Sequence, residues 1–126
     1  RGGGRLGKFY EGLIAAFVAF AKARFELDKV VEGATVMEHL LSVWERTGVK
    51  PARLADAPAL PDGLAAVWTA FCDLRNSCPS SGMGPGRITF SEIDAYQRVT
   101  GHYLPAWQVD AIRRVDATFL AVRAEK

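Results

Sequence analysis

The residues of this chain that could carry chemistry are few, and their spacing predicts neither a catalytic nor a metal site. His39 and His102 have no cysteine or second histidine at the spacing of metal ligands. Glu92 and Asp94 lie two residues apart, which places them on different sides of a helix. Thr89 and Glu92 instead have the spacing of a capping box, in which the carboxylate stabilises a helix start.

The remaining acids and nucleophiles also favour structural roles. Asp110 and Asp116 are off-register on a helix, with two arginines between them. Cys72 and Cys78 do not form a C-x-x-C or zinc pattern, and we expect two reduced thiols rather than a disulfide. The loop over residues 77–87 is rich in glycine but lacks the G-K-[ST] sequence of a phosphate-binding loop. We therefore predict no catalytic, metal-binding or cofactor-binding residue, and no enzyme.

Length and charge are those of one ordinary globular domain. The chain has 126 residues, of which 49% are hydrophobic and 24% charged. Its net charge of +2 is too small to indicate a nucleic-acid or membrane-surface partner. The predicted fold class is all-α: a single small domain of four or five helices, without credible strands.

The N-terminal third is predicted to be a short arm and one apolar helix. Residues 1–7 hold four glycines, which is typical of a flexible arm. A helical repeat of apolar residues then runs from Phe9 to about Val31. Basic residues before the apolar run 13–21 resemble a secretory signal peptide, but Glu11 and Gly12 interrupt that pattern. We favour a helix that is buried or faces a partner.

Within the predicted helical domain of residues 8–126, we expect residues 8–32 to form a partner-facing or oligomerisation element. Residues 34–126 are predicted to form the core domain. On the first helix, the apolar surface exceeds what a stripe facing the core requires. The predicted partner-binding residues are Phe9, Leu13, Phe17 and Phe20, with Trp107 as the tryptophan that is most accessible.

Start and stop signals divide the rest of the chain. Thr35 and Glu38 form a capping box, and Gly48 ends that helix. A proline-rich connector follows, with one short helical turn, and Asp62 is a predicted cap for the next helix. The buried stripes are predicted to be Met37, Leu40, Leu41 and Trp44 on the second helix, and Leu64, Val67, Trp68, Phe71 and Leu74 on the third.

The segment Ile88–Leu120 predicts a helix–turn–helix hairpin with its turn after Gly101 and Pro105 at the start of the last helix. A DNA-reading motif is disfavoured, because the first turns of the second helix offer one amide and one acid to base edges. A small DNA-binding protein therefore stays a minor alternative.

The hairpin sequences ITFSEIDAYQRVTG (88–101) and LPAWQVDAIRRVDATFL (104–120) resemble the tail assembly chaperones of long-tailed phages and prophages. The segments VMEHLLSVWERTG (36–48) and LPDGLAAVW (60–68) extend this resemblance upstream. These proteins are similar in role to the overlapping G and GT proteins of phage lambda. The matching residues are mostly caps, turns and core positions.

The resemblance implies a non-enzymatic helper of tail assembly in the host bacterial cytoplasm. It implies tail proteins as partners, namely the tape measure and tail tube proteins, contacted through apolar helical surfaces. A second copy of the chain is the other expected partner. The alternative function is a structural virion component, such as a minor tail or tail-completion protein.

Overall fold

The structure, a computed structural model, describes residues 3–78, 80–82 and 84–125. It is 70% helical, which confirms the all-α class. The helices of the described ranges are α1 (Gly3–Leu27), α2 (Val36–Thr47), α3 (Ala52–Ala55), α4 (Ala65–Ser77), α5 (Phe90–Thr100) and α6 (Ala106–Ala124). Two antiparallel ribbons are formed by β1 (Val30–Val31) with β2 (Ala34–Thr35), and by β3 (Ser80–Ser81) with β4 (Gly84–Pro85).

Helix α1 begins earlier and ends earlier than the sequence predicts. It starts at Gly3, so residues 3–7 of the expected arm are helical, and residues 1 and 2 lie outside the described residues. Once a helix is nucleated, each added residue gains a hydrogen bond, which allows it to propagate into a glycine-rich segment. At the other end α1 stops at Leu27 rather than near Val31.

The residues after α1 form a hairpin that the sequence analysis missed. Val30 pairs with Thr35 and Val31 with Ala34. The two loop residues, Glu32 and Gly33, both have positive φ, at 52° and 86°. Positive φ at both residues is the conformation of a type I′ turn, one of the two turns that two-residue hairpin loops favour, and β-branched valine favours the strand. The expectation of no strands was therefore wrong.

Both predicted capping boxes are confirmed. At α2 the Glu38 amide donates to Thr35 Oγ1 at 3.0 Å, and Glu38 Oε1 accepts from the Thr35 amide at 2.8 Å. The same reciprocal pair joins Thr89 and Glu92 at α5. Gly101 ends α5 with φ 73°, which glycine adopts without steric cost. The backbone around these helix ends is thus determined by local sequence.

The predicted cap at Asp62 is wrong. Helix α4 begins at Ala65 after Leu64, and no side chain caps it. Gly63 has φ 82° and separates Asp62 from the first helical turn. The Leu64 amide instead donates to the Pro61 carbonyl at 3.2 Å, which makes a tight turn ahead of the helix.

Helices α1 and α6 lie side by side and run in the same direction. Near their N-terminal ends, the ring of Tyr10 stacks on Trp107 with centroids 4.8 Å apart. Towards their C-terminal ends, Phe25 meets Phe119 at 5.2 Å. Helix α4 packs against α6 as well, so α1 shares one hydrophobic core with the C-terminal helices.

The centre of that core is aromatic. Trp68 of α4 contacts Phe17, Phe20, Phe25 and Phe71, with centroid separations of 5.1–6.1 Å. Such pairs gain from edge-to-face or offset contact in addition to the burial of their area. The predicted stripe of α4 is confirmed as core, with Trp68 half-buried at its edge.

One ion pair lies inside this apolar environment. Asp116 of α6 is only 2% exposed, and it pairs with Arg75 of α4 through Nη1. Its other oxygen accepts the Ile88 amide proton at 2.9 Å, while Arg75 Nη2 donates to the Gly86 carbonyl at 2.6 Å. These bonds join the segment before α5 to both α4 and α6.

We expect Asp116→Asn to destabilise the fold by about 3 kcal/mol, because it leaves the buried Arg75 cation without its counter-charge. Urea unfolding followed by circular dichroism measures this change. The matched control is Asp110→Asn on the same helix, which removes an exposed ion pair with Arg114 and should cost less than about 0.5 kcal/mol. Equal losses in the two variants would contradict a structural role for the buried pair.

Candidate partner-binding surface

Two of the predicted partner-binding residues come together at the N-terminal ends of α1 and α6. Phe9 is 62% exposed, and its ring meets Tyr10 edge-on at 5.3 Å. Tyr10 in turn stacks on Trp107, so the parallel packing of the helices brings residues almost one hundred positions apart into contact. We call Phe9, Tyr10 and Trp107 the N-terminal aromatic cluster. Sequence reasoning found its two ends and missed Tyr10, which joins them.

The other predicted residues of α1 face inward to different degrees. Phe17 is fully buried, and Phe20 is half-buried with its ring edge-on to Trp68 at 5.1 Å. Leu13 is half-buried between the cluster and the core. Phe17 was predicted to contact a partner, but its side chain is buried within the chain. Helices α4 and α6 cover the side of α1 on which Phe17 lies.

Helix α2 is more exposed than the sequence predicts, whereas part of α1 is more buried. Its apolar stripe was predicted to be buried, yet none of its residues is. Leu41 is 45% exposed and Trp44 is 38% exposed. The prediction that Trp107 is the most accessible tryptophan is therefore wrong, because Trp107 is half-buried and Trp44 is more exposed. The Lys50 ammonium lies 5.2 Å from the Trp44 ring centroid. Periodicity identifies an apolar face but does not identify what covers it. We call Leu41 and Trp44 the α2 face.

Four carboxylates of the described residues, Glu38, Glu92, Asp110 and Asp116, are held in helix caps or ion pairs. The amide of Thr89 donates to Glu92 and lowers the pKa of that carboxyl, and Thr35 lowers the pKa of Glu38 in the same way. Asp110 is not free to act as an acid or base, because it pairs with Arg114 at 3.1 Å, and Asp116 is held in the buried ion pair.

No group of three potential metal-ligating side chains occurs in the part of the chain that the structure describes. In the same part, no helix combines the length and apolarity needed to cross a membrane.

Comparison with known proteins decides the family. A family model described as "phage tail assembly chaperone" matches residues 43–121. The chain belongs to the phage tail assembly chaperone family. The match confirms the resemblance drawn from residues 36–120, and it spans the end of α2, all of α3, α4 and α5, and most of α6. No curated protein and no solved structure shows significant similarity to the chain.

The family match and the surface residues overlap only in part. Trp44 and Trp107 lie inside the matched residues 43–121, whereas Phe9, Tyr10 and Leu41 lie outside them. The buried pair of Arg75 and Asp116 is inside. Membership in the chaperone family therefore rests on the scaffold more than on the apolar surfaces.

The cysteines of this chaperone-family chain are free thiols. Burial raises the pKa of Cys72. Burial and the hydrogen bond from Cys78 Sγ to Glu92 Oε2, 3.2 Å long, raise the pKa of Cys78 to about 11. Because the thiolate is the reactive form, neither residue is poised as a nucleophile near neutral pH.

The rate of alkylation by iodoacetamide should show the low reactivity of Cys78 directly. A thiol with a pKa near 11 is ~0.1% thiolate at about pH 8, against ~10% for one near 9, so we expect Cys78 to react ~100-fold more slowly than an unperturbed cysteine. The rate should rise with pH until it levels off near the raised pKa. Peptide mapping at several pH values measures it, with denatured chain as the reference. Equal rates in native and denatured protein would contradict the assignment.

A second prediction separates core from surface on α1. Phe17→Ala should cost about 3–5 kcal/mol of unfolding free energy, because it opens a cavity in the aromatic core. Phe9→Ala should change stability by less than about 0.5 kcal/mol, since the ring is mostly in water. Thermal and urea unfolding of the two variants provide the comparison. If Phe9→Ala costs as much as Phe17→Ala, then Phe9 is part of the core.

Proposed function

We propose that this chain is a non-enzymatic chaperone that binds other phage tail proteins through the N-terminal aromatic cluster. The tape measure and tail tube proteins are the proposed clients. Family membership supports the role, and the exposed ring of Phe9 beside Tyr10 and Trp107 is the observation that carries the choice of surface.

The chemistry of the cluster suits a transient contact with an apolar helix. Tyrosine and tryptophan present large rigid apolar surfaces at low entropy cost, and they are enriched where partners bind. Leu13 lies one helical turn beyond Phe9 and is half-buried, so it extends the apolar surface along α1. A client helix would lay its apolar face on this surface in the helix-in-groove mode.

The α2 face is a second apolar surface for the same function. Trp44 and Leu41 lie three residues apart and therefore share one side of α2. The shared side is only partly covered by the fold, which leaves both side chains available to a client. The two surfaces can be tested separately, because they have no residue in common.

The proposed chaperone acts in the host bacterial cytoplasm and leaves before the tail is complete. A structural virion component, the alternative, would remain in the particle. Mass spectrometry of purified virions distinguishes the two, because only a component is recovered in stoichiometric amount. A second copy of the chain is the other candidate occupant of the cluster, and light scattering after size exclusion reports it as a dimer or larger oligomer in the absence of client.

The cluster itself is tested by co-expressing the chain with tape measure and tail tube proteins. We expect Phe9→Ser to weaken the affinity for the client about tenfold or more, as for an aromatic hot spot. Leu41→Ser reports on the α2 face. The matched control is Val99→Ser on α5, which removes an apolar side chain that is 84% exposed. Biolayer interferometry with purified proteins measures each affinity.

If Phe9→Ser leaves the client affinity unchanged and Leu41→Ser weakens it, the client binds the α2 face and not the N-terminal aromatic cluster. Equal weakening in all three variants, including Val99→Ser, would mean that general surface hydrophobicity rather than a defined surface binds the client. Circular dichroism of each variant confirms that the fold is retained.

A further inference from the structure

An arginine stacked on an exposed aromatic ring lies at the start of α5. The guanidinium carbon of Arg113 is 4.1 Å from the ring centroid of Phe90, and Phe90 is 62% exposed. Arg113 itself is half-buried on α6. A guanidinium that lies over an aromatic face keeps its N–H groups at the edge of the stack, where they can bind a carboxylate with two hydrogen bonds.

The buried ion pair holds this stack in place. Ile88, two residues before Phe90, is held by the hydrogen bond from its amide to Asp116. Asp116 lies one turn after Arg113 on α6, so both members of the stack are positioned by the same anchor. The stack is therefore preorganised, which lowers the entropy cost of binding.

The positive charge at this position is not compensated within the described residues. Arg98 pairs with Asp94 and Arg114 with Asp110, each at 3.1 Å. Arg113 has no acidic partner in the described ranges. Arg87, which is exposed and directly precedes the anchored Ile88, has none there either. Arg113 beside the Phe90 ring and Arg87, three residues before Phe90 in the chain, thus form no ion pair within the described residues.

We propose that Arg87, Phe90 and Arg113 form a docking surface for an acidic amphipathic peptide segment. A glutamate or aspartate of the partner binds the edge of the Arg113 guanidinium, and an adjacent apolar side chain of the partner packs on Phe90. Arg87 adds attraction for a second acid. This surface shares no residue with the N-terminal aromatic cluster or the α2 face, so it does not depend on the proposed function.

A peptide fits these observations better than a nucleic acid. Binding to a phosphate backbone depends on many cations in a row, and the surface offers two. An apolar ring beside a single guanidinium instead matches one acid followed by one hydrophobic residue.

The test uses a short fluorescein-labelled helical peptide with Glu at positions i and i+4 and Leu at i+3, and an otherwise identical peptide with Gln in place of Glu. Fluorescence anisotropy with the full chain should give a Kd about tenfold lower for the Glu peptide, the difference expected from charge-assisted bidentate contact. Arg113→Gln should remove most of that difference, leaving only the contribution of Arg87. Arg113→Lys, which keeps the charge and loses the planar fork, should restore only part of it.

The matched control is Arg114→Gln, which removes the same net charge from the next residue of α6. Arg114 is already paired with Asp110, so the preference for the Glu peptide should stay within about twofold of the wild-type value. Equal losses in Arg113→Gln and Arg114→Gln would overturn the proposal, as would equal Kd values for the two peptides or no binding at about 1 mM. Tighter binding of a fluorescein-labelled DNA duplex than of the Glu peptide would also overturn it. Thermal unfolding of each variant confirms that the fold is intact.

Discussion

The buried ion pair between Arg75 and Asp116 is the constraint on which the arrangement of the C-terminal half depends. A charge pair in an apolar interior is costly to desolvate, and it persists where further hydrogen bonds satisfy the remaining lone pairs and protons. Here those further partners are the Ile88 amide and the Gly86 carbonyl, both in the segment before α5. The pair therefore fixes the backbone at Gly86 and Ile88, and the Ile88 side chain is itself buried in the core.

The buried ion pair also affects where helix α5 begins. Because Ile88 is held against α6, the capping box of Thr89 and Glu92 forms at a defined place, and α5 begins in a defined direction. The polar network therefore acts together with the side chains of Ile88 and Ile93, which are buried in the same hydrophobic core as α1, α4 and α6.

Local sequence predicted the ends of α2 and α5 correctly, but not the ends of α1 or the start of α4. Long-range contacts explain much of what the sequence did not predict. Capping boxes and left-handed glycines act within four residues, so Thr35, Gly48 and Thr89 could be assigned directly. Arg75 and Asp116 are far apart in the chain, and nothing near either residue indicates the other. The burial of Phe17 and the exposure of Trp44 were missed for the same reason, since periodicity does not show which apolar face meets another.

Helix α6 links the core to two of the three proposed binding surfaces, the N-terminal aromatic cluster and the surface around Arg113. Trp107 and Arg113 are six residues apart on it, so they lie about 9 Å apart along the axis and about 120° apart around it. Asp116 and Val115, one turn later, face the interior. A helix that is anchored by a buried charge and by aromatic contacts along its length can support two surfaces of different chemistry, one aromatic and one cationic. A client that bound both surfaces would have to contact α6 at two positions about 120° apart around its axis.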